Sequence, residues 1–140
     1  MSFTGNFSCN TLRSGLANGS INLTTDTFYL ALYTNAATLD ETTTAYTATG
    51  EATGGNYTAG GQVVTATVSS EATSSGSVVY VSFSSPSWTG QITARGALIY
   101  KAGNNGAVCV LDFGNDKTSA NTFTVTMPAN TSTSALIRLV

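Results

Sequence analysis

Apolar residues in this chain recur at every second position more often than at helical spacing, and they gather most densely around one Gly/Asn turn. Thr93-Ala-Arg-Gly-Ala-Leu-Ile-Tyr-Lys101 leads into Ala102-Gly-Asn-Asn105 and returns as Gly106-Ala-Val-Cys-Val-Leu-Asp-Phe113, the pattern of a β-hairpin. A turn over 102–105 predicts Lys101 opposite Gly106. That register carries Ile99 opposite Val108, Ala97 opposite Val110, and Arg95 opposite Asp112 as a structural pair at the far end of the ladder. The other face then reads Leu98, Tyr100, Ala107, Cys109, Leu111 and Phe113. It is almost wholly apolar and needs a second sheet or another subunit over it.

The alternation continues along the chain. Residues 27–34 predict a strand with Phe28, Leu30 and Leu32 on one face and Tyr29, Ala31 and Tyr33 on the other; with both faces partly apolar, it belongs in the middle of a sheet. Further strands are expected at 62–68, 78–83, 121–127 and 134–140. They are separated by a Ser/Gly-rich pause at 69–77, a bend at 84–90 holding Pro86 and the sole tryptophan, and a loop at 114–119. Near the start, Asn10 or Thr11 can cap a short helix and Gly19 can end it, although Gly15 sits in its middle. The expected architecture is an all-β, antiparallel β-sandwich of about seven or eight strands with a short N-terminal helix, a barrel-like closure being second. Residues 1–25 form an N-terminal segment or arm, and residues 26–140 form a single domain.

One stretch departs from this pattern. From 35 to 61 the chain turns to Thr, Ala and Gly, and structureless connections beyond about 12–15 residues are usually functional or mobile. Two readings compete: a loop reaching over a neighbouring subunit with Tyr46 and Tyr57 as anchors, or a solvated loop or poorly patterned edge hairpin. Trp88 reads as a plug at the end of the core, with an interface or ligand platform as its alternative.

Composition sharpens the functional question. Charged residues are 9% of the chain, against about 25% in ordinary globular proteins, while Ser and Thr supply roughly 40 of its 140 residues. Hydroxyls lose far less on burial than ionised groups, so such a surface costs little to desolvate and suits lasting contact with other proteins. The net charge of −2, with five scattered basic residues, excludes a phosphate-tracking surface, so no nucleic-acid partner is expected. No apolar run approaches the roughly 20 residues of a membrane span, and the N-terminus lacks a secretory pattern, so neither membrane nor export is expected. Cys9 and Cys109 read as free thiols.

The chain contains no histidine, which removes Ser-His-Asp and Cys-His nucleophile pairs and the commonest ligand of catalytic zinc. Asp40-Glu41 and Asp112 with Asp116 are weak metal candidates. Asp112-Phe-Gly114 spells the kinase metal-binding tripeptide without the rest of that machinery. The carboxylates that could form a glycosidase pair lie in Thr-rich settings that give no reason for one pKa to rise. No enzyme, cofactor or metal site is expected.

Several blocks, Asp26-Thr-Phe-Tyr-Leu-Ala-Leu-Tyr-Thr-Asn35, Ala37-Thr-Leu-Asp-Glu-Thr-Thr-Thr-Ala-Tyr-Thr47, Asn56-Tyr-Thr-Ala-Gly-Gly61, Trp88, Thr93-Ala-Arg-Gly-Ala-Leu-Ile-Tyr100 and Val110-Leu-Asp-Phe-Gly114, together resemble a family of small virion structural proteins of tailed bacteriophages. The resemblance covers roughly residues 26 to 128. It implies a β-domain built into the particle, first as a capsid decoration (cement) protein on the head surface, second as a tail, neck or fibre component. It also implies the major capsid protein or other virion proteins as partners, self-association into a homo-oligomer, and synthesis in the host cytoplasm. A carbohydrate-binding β-sandwich module, with Trp88 and exposed tyrosines stacking on sugar rings, is the competing class.

Overall fold

The structure, a computed structural model, describes residues 3, 5–103 and 105–139. Asn104 of the predicted turn and Val140 of the predicted last strand lie outside the described residues, as do Met1, Ser2 and Thr4 of the predicted arm. The fold is all-β, antiparallel and sandwich-like, with one short helix. In chain order its elements are β1 (Phe7–Ser8), α1 (Asn10–Asn18), β2 (Phe28–Tyr33), β3 (Gln62–Val64), β4 (Ala66–Thr73), β5 (Gly76–Phe83), β6 (Ser87–Thr89), β7 (Thr93–Lys101), β8 (Ala107–Thr118), β9 (Thr122–Thr124) and β10 (Ile137–Leu139). A main sheet is ordered β1-β8-β7-β2-β3, a second is ordered β10-β5-β4, and β6 pairs with β9 in a small ribbon. Several strands are shorter than the sequence predicts, and the expected bend around Trp88 is itself a ribbon strand.

The main sheet is buried on both faces. One face carries Phe28, Leu30, Leu32, Ala97, Ile99, Val108, Cys109 and Leu111, which pack with Leu12 of α1, Val81 and Phe83 of β5, Trp88, and Phe123 of β9. Strands cover strands here, as the alternating pattern requires. The opposite face carries Ala31, Tyr33, Leu98, Tyr100, Ala107 and Val110, and it packs with Phe3, Cys9, Ala37 and Leu39. Irregular chain thus covers the second face where the sequence suggested another sheet or another subunit. Strand β2 is central, with the two faces expected of it.

The β7–β8 hairpin differs from the predicted register in one respect with several consequences. Tyr100 opposes Ala107, in line with Lys101 against Gly106, but Ile99 opposes Cys109, Leu98 opposes Val110, Ala97 opposes Leu111 and Gly96 opposes Asp112. Val108 is the surplus residue of a β-bulge. Two residues then face one across the ladder, and the side chains beyond the bulge exchange faces. Cys109, Leu111 and Phe113 therefore lie with Ile99, not with Leu98 and Tyr100. A second irregularity follows, because Ala94 opposes Lys117, which leaves Arg95 alone against Phe113 to Asp116.

The stretch set apart as an N-terminal segment or arm packs against the rest of the chain where described. Strand β1 pairs with β8, and Phe3, Cys9 and Leu12 are buried. Gly15 marks a close approach in place of a helix weakness, since a Cβ there would collide with the side chain of Ile21. One correction concerns residues 62–68, predicted as one strand. The run breaks at Thr65: β3 pairs with β2 in the main sheet, and β4 pairs with β5 in the second. The predicted pause at 69–77 is absent, because β4 and β5 continue to a tight turn joining Thr73 to Gly76.

Candidate functional site

The irregular stretch between β2 and β3 is where the fold departs most from regular structure, and its position is fixed by one carboxylate. Glu51 is the only charged residue between Glu41 and Glu71. It forms an isolated bridge with Tyr33 at the end of β2, so its side chain starts from the rim of the main sheet. Tyr46 donates its hydroxyl hydrogen to Glu51 Oε1 at 2.6 Å, Tyr57 donates to Oε2 at 2.6 Å, and the Gly60 N–H donates to Oε2 at 2.7 Å. Hydrogen bonds to an ionised acceptor are roughly twice as strong as neutral ones, so this single group gathers three points of the loop.

Tyr57 and two further tyrosines, Tyr33 and Tyr100, extend the attachment. The Leu32 N–H donates to Tyr57 Oη at 2.9 Å, Tyr100 donates to the Gly60 carbonyl at 2.7 Å, and Tyr33 donates to the Thr47 carbonyl at 2.7 Å. Tyr46 stacks on Tyr100 with centroids 5.0 Å apart, and Tyr29 stacks on Tyr100 at 5.7 Å. Backbone bonds from Thr34 to Gly50, from Ala52 to Leu32 and from Ala107 to Thr44 complete the attachment. Gly61 closes the loop with φ +83°. A side chain at that position would be driven into the Leu30 carbonyl, so only glycine lets β3 start against β2 there.

Desolvation pushes the hydroxyl pKa of Tyr33 and Tyr57 up from the ordinary tyrosine value, and in Tyr57 the hydrogen bond to Glu51 adds to it. Burial, followed by the bond to Glu51, raises Tyr46 to about 12, and burial with the nearby Glu51 charge raises Tyr100 to about 12. A cluster that keeps its protons this firmly is a set of donors held in place. None of these four hydroxyls is poised to take or give a proton near neutrality.

The residues singled out in the sequence therefore turn inward. Tyr46 and Tyr57, for which a neighbour-spanning loop and a solvated loop competed, are half-buried in contacts within their own domain. Trp88 is 3% exposed and sits 5.5 Å from the Tyr57 ring, so it fills the core and presents no platform to a ligand. Arg95 Nη2 lies 3.2 Å from Asp112 Oδ1. The two are diagonal neighbours across the second irregularity, since Gly96 holds the position opposite Asp112. The Arg95 guanidinium also lies 5.9 Å from the Phe3 ring centre. Glu51 itself was missed. Its signal was available: a lone carboxylate in an otherwise uncharged run, with a tyrosine on either side.

The remaining chemistry is sparse. Among the described residues no three His, Cys, Asp or Glu side chains converge as metal ligands. Cys9 and Cys109 are buried free thiols on opposite faces of the main sheet, and burial raises them to about 11 and about 12. Among the described residues no helix is long and apolar enough to cross a membrane.

The hairpin of β4 and β5 presents a different surface. All of 67–77 except Ser69 is exposed, and Glu71 is the hairpin's one charged residue. Exposed Val68, Val79 and Leu139 share one face of the second sheet, as the pairings of Val68 with Val81, Val81 with Ile137 and Val79 with Leu139 require. Among the described residues, strand β4 is an edge, with no strand paired to its outer side. No family model, curated protein or solved structure matches the chain.

Proposed function

We propose that this chain is a structural subunit of a tailed-bacteriophage virion, and specifically a decoration protein that binds the head shell and stabilises it. The observation that carries the reading is the convergence of the blocks that resemble that family. Tyr33, Tyr46, Tyr57, Trp88 and Tyr100 come from five separate blocks of sequence, yet they meet around Glu51 and the loop it gathers or lie ring against ring. Residues that resemble a family at scattered positions and then form one packed unit are understood as the architecture of its domain. A rigid body with a hydroxyl-rich surface and few charges suits permanent seating on a protein shell, because desolvating that surface costs little. The major capsid protein is the proposed partner, and the assembled virion the proposed location.

A tail, neck or fibre position is the runner-up, and the same experiment separates the two. Purified chain mixed with empty heads and, separately, with isolated tails of a phage encoding it should co-sediment with heads in saturable amounts. Co-sedimentation with tails alone would move the subunit along the particle, and binding to neither would overturn the virion reading. The carbohydrate-binding alternative needs an accessible aromatic platform, and Trp88 is sealed in the core.

A further inference from the structure

Among the described residues, the outer edge of β4 has few of the features by which sheet edges are normally protected. It runs from Ala66 to Thr73 with an unbroken register against β5, so no bulge twists it away. It holds no proline and no lysine, and its one charge is Glu71. Such an edge is a row of unmet backbone donors and acceptors, and the ligand it fits is another extended strand. The hairpin is also under-supported, because β10 flanks only Val79 to Val81 of β5 and leaves the distal end a ribbon of β4 and β5 alone. Two-stranded hairpins are marginal in water, and a third strand with an apolar face is what stabilises them.

We propose that β4 pairs with β4 of a second copy of this chain, antiparallel about a two-fold axis, joining the two three-stranded sheets into one. The edge is self-complementary. Residues of one face must oppose residues of the same face, so the axis passes through one residue, and the central choices are Ser69 and Ser70. About Ser69, Glu71 meets Thr67 of the partner strand; about Ser70, it meets Ser69. In neither register does the carboxylate oppose its own copy, and the remaining pairs are hydroxyls and small apolar side chains, which suit cross-strand contact. The pairing also brings the exposed Val68, Val79 and Leu139 of both copies onto one continuous face. The contact is independent of the virion reading, since purified chain alone reports on it.

Sedimentation velocity over a concentration series should show a reversible monomer–dimer equilibrium. Ser70→Lys with Ala72→Lys should weaken it by roughly tenfold or more, with an unchanged near-ultraviolet circular dichroism spectrum. Ser69→Cys or Ser70→Cys should form a disulfide-linked dimer on mild oxidation much faster than Thr133→Cys, which lies outside this sheet. The crosslinks keep the proposal testable if the lysine variant misfolds. A wild-type chain that stays monomeric throughout, a dimer indifferent to the lysines, or crosslinking no faster than at Thr133 would each overturn it.

Discussion

Residues 42–61 and residues 66–83 are close in composition and opposite in behaviour. Both are rich in small and hydroxyl-bearing residues, and each contains a single charged residue, Glu51 in one and Glu71 in the other. The first stretch has almost no regular structure, yet one carboxylate and a set of tyrosines tie it to the main sheet. The second is regular β-structure with a full backbone ladder, and most of it stands in solvent. Anchorage and regularity are therefore separate properties. A backbone ladder satisfies polar groups, but the large side chains, together with the acceptors they reach, decide which stretch of a chain is held.

Removing Glu51 should collapse that contrast, because it strips three donors of their shared acceptor. Glu51→Ala is expected to cost about 3–5 kcal/mol in urea unfolding, and Tyr57→Phe, which removes one bond to Glu51 and the bond from Leu32, about half that. A loss below about 1 kcal/mol for Glu51→Ala would mean the loop is held by packing alone.

Alkali should act on the anchored region next. Tyr33, Tyr46, Tyr57 and Tyr100 have folded-state pKa values above the ordinary value of about 10. The unfolded chain thus gives up protons that the native state retains, so their contribution is fully present below about pH 10 and is lost as pH rises. The slope is about 1.4 kcal/mol per pH unit for each such hydroxyl that stays fully buried. The two buried thiols start the decline nearer pH 9. Melting temperature followed from about pH 8 to about pH 12 should fall steeply above about 10, and phenolate absorbance of the native protein should lag behind that of the urea-unfolded chain. A flat profile through about pH 11 would contradict the burial assigned to these groups.

The smallest effect belongs to the hairpin. Ser74→Ala and Ser75→Ala, at the exposed turn, should change stability by no more than about 0.5 kcal/mol by urea melts. A larger loss would show that the tip is anchored after all.

The same contrast explains what the sequence disclosed. Two-residue alternation placed Phe28, Leu30 and Leu32 opposite Tyr29, Ala31 and Tyr33, because burial on two faces imposes that period directly. The bulge at Val108 was invisible, since Val-Cys-Val is apolar in either register and nothing local shows that one residue is surplus. The sheet change at Thr65 was equally hidden in an unbroken β-pattern. Tyr46 and Tyr57 stand out in the sequence as anchors, but the sequence leaves open what they hold. A tyrosine has the same large apolar body and polar tip whether it faces a neighbour or its own core, and only the position of Glu51 decides which.

At the foot of the hairpin, Thr65 and Ser84 are tied by two bonds of 2.9 Å, one from the Ser84 N–H to the Thr65 carbonyl and one from the Thr65 N–H to Ser84 Oγ. Both legs are thereby clasped at a single point, one residue away from the strand that borders β2. The hairpin is a short lever that cannot swivel freely, and any torque on its tip is delivered straight into the rim of the larger sheet.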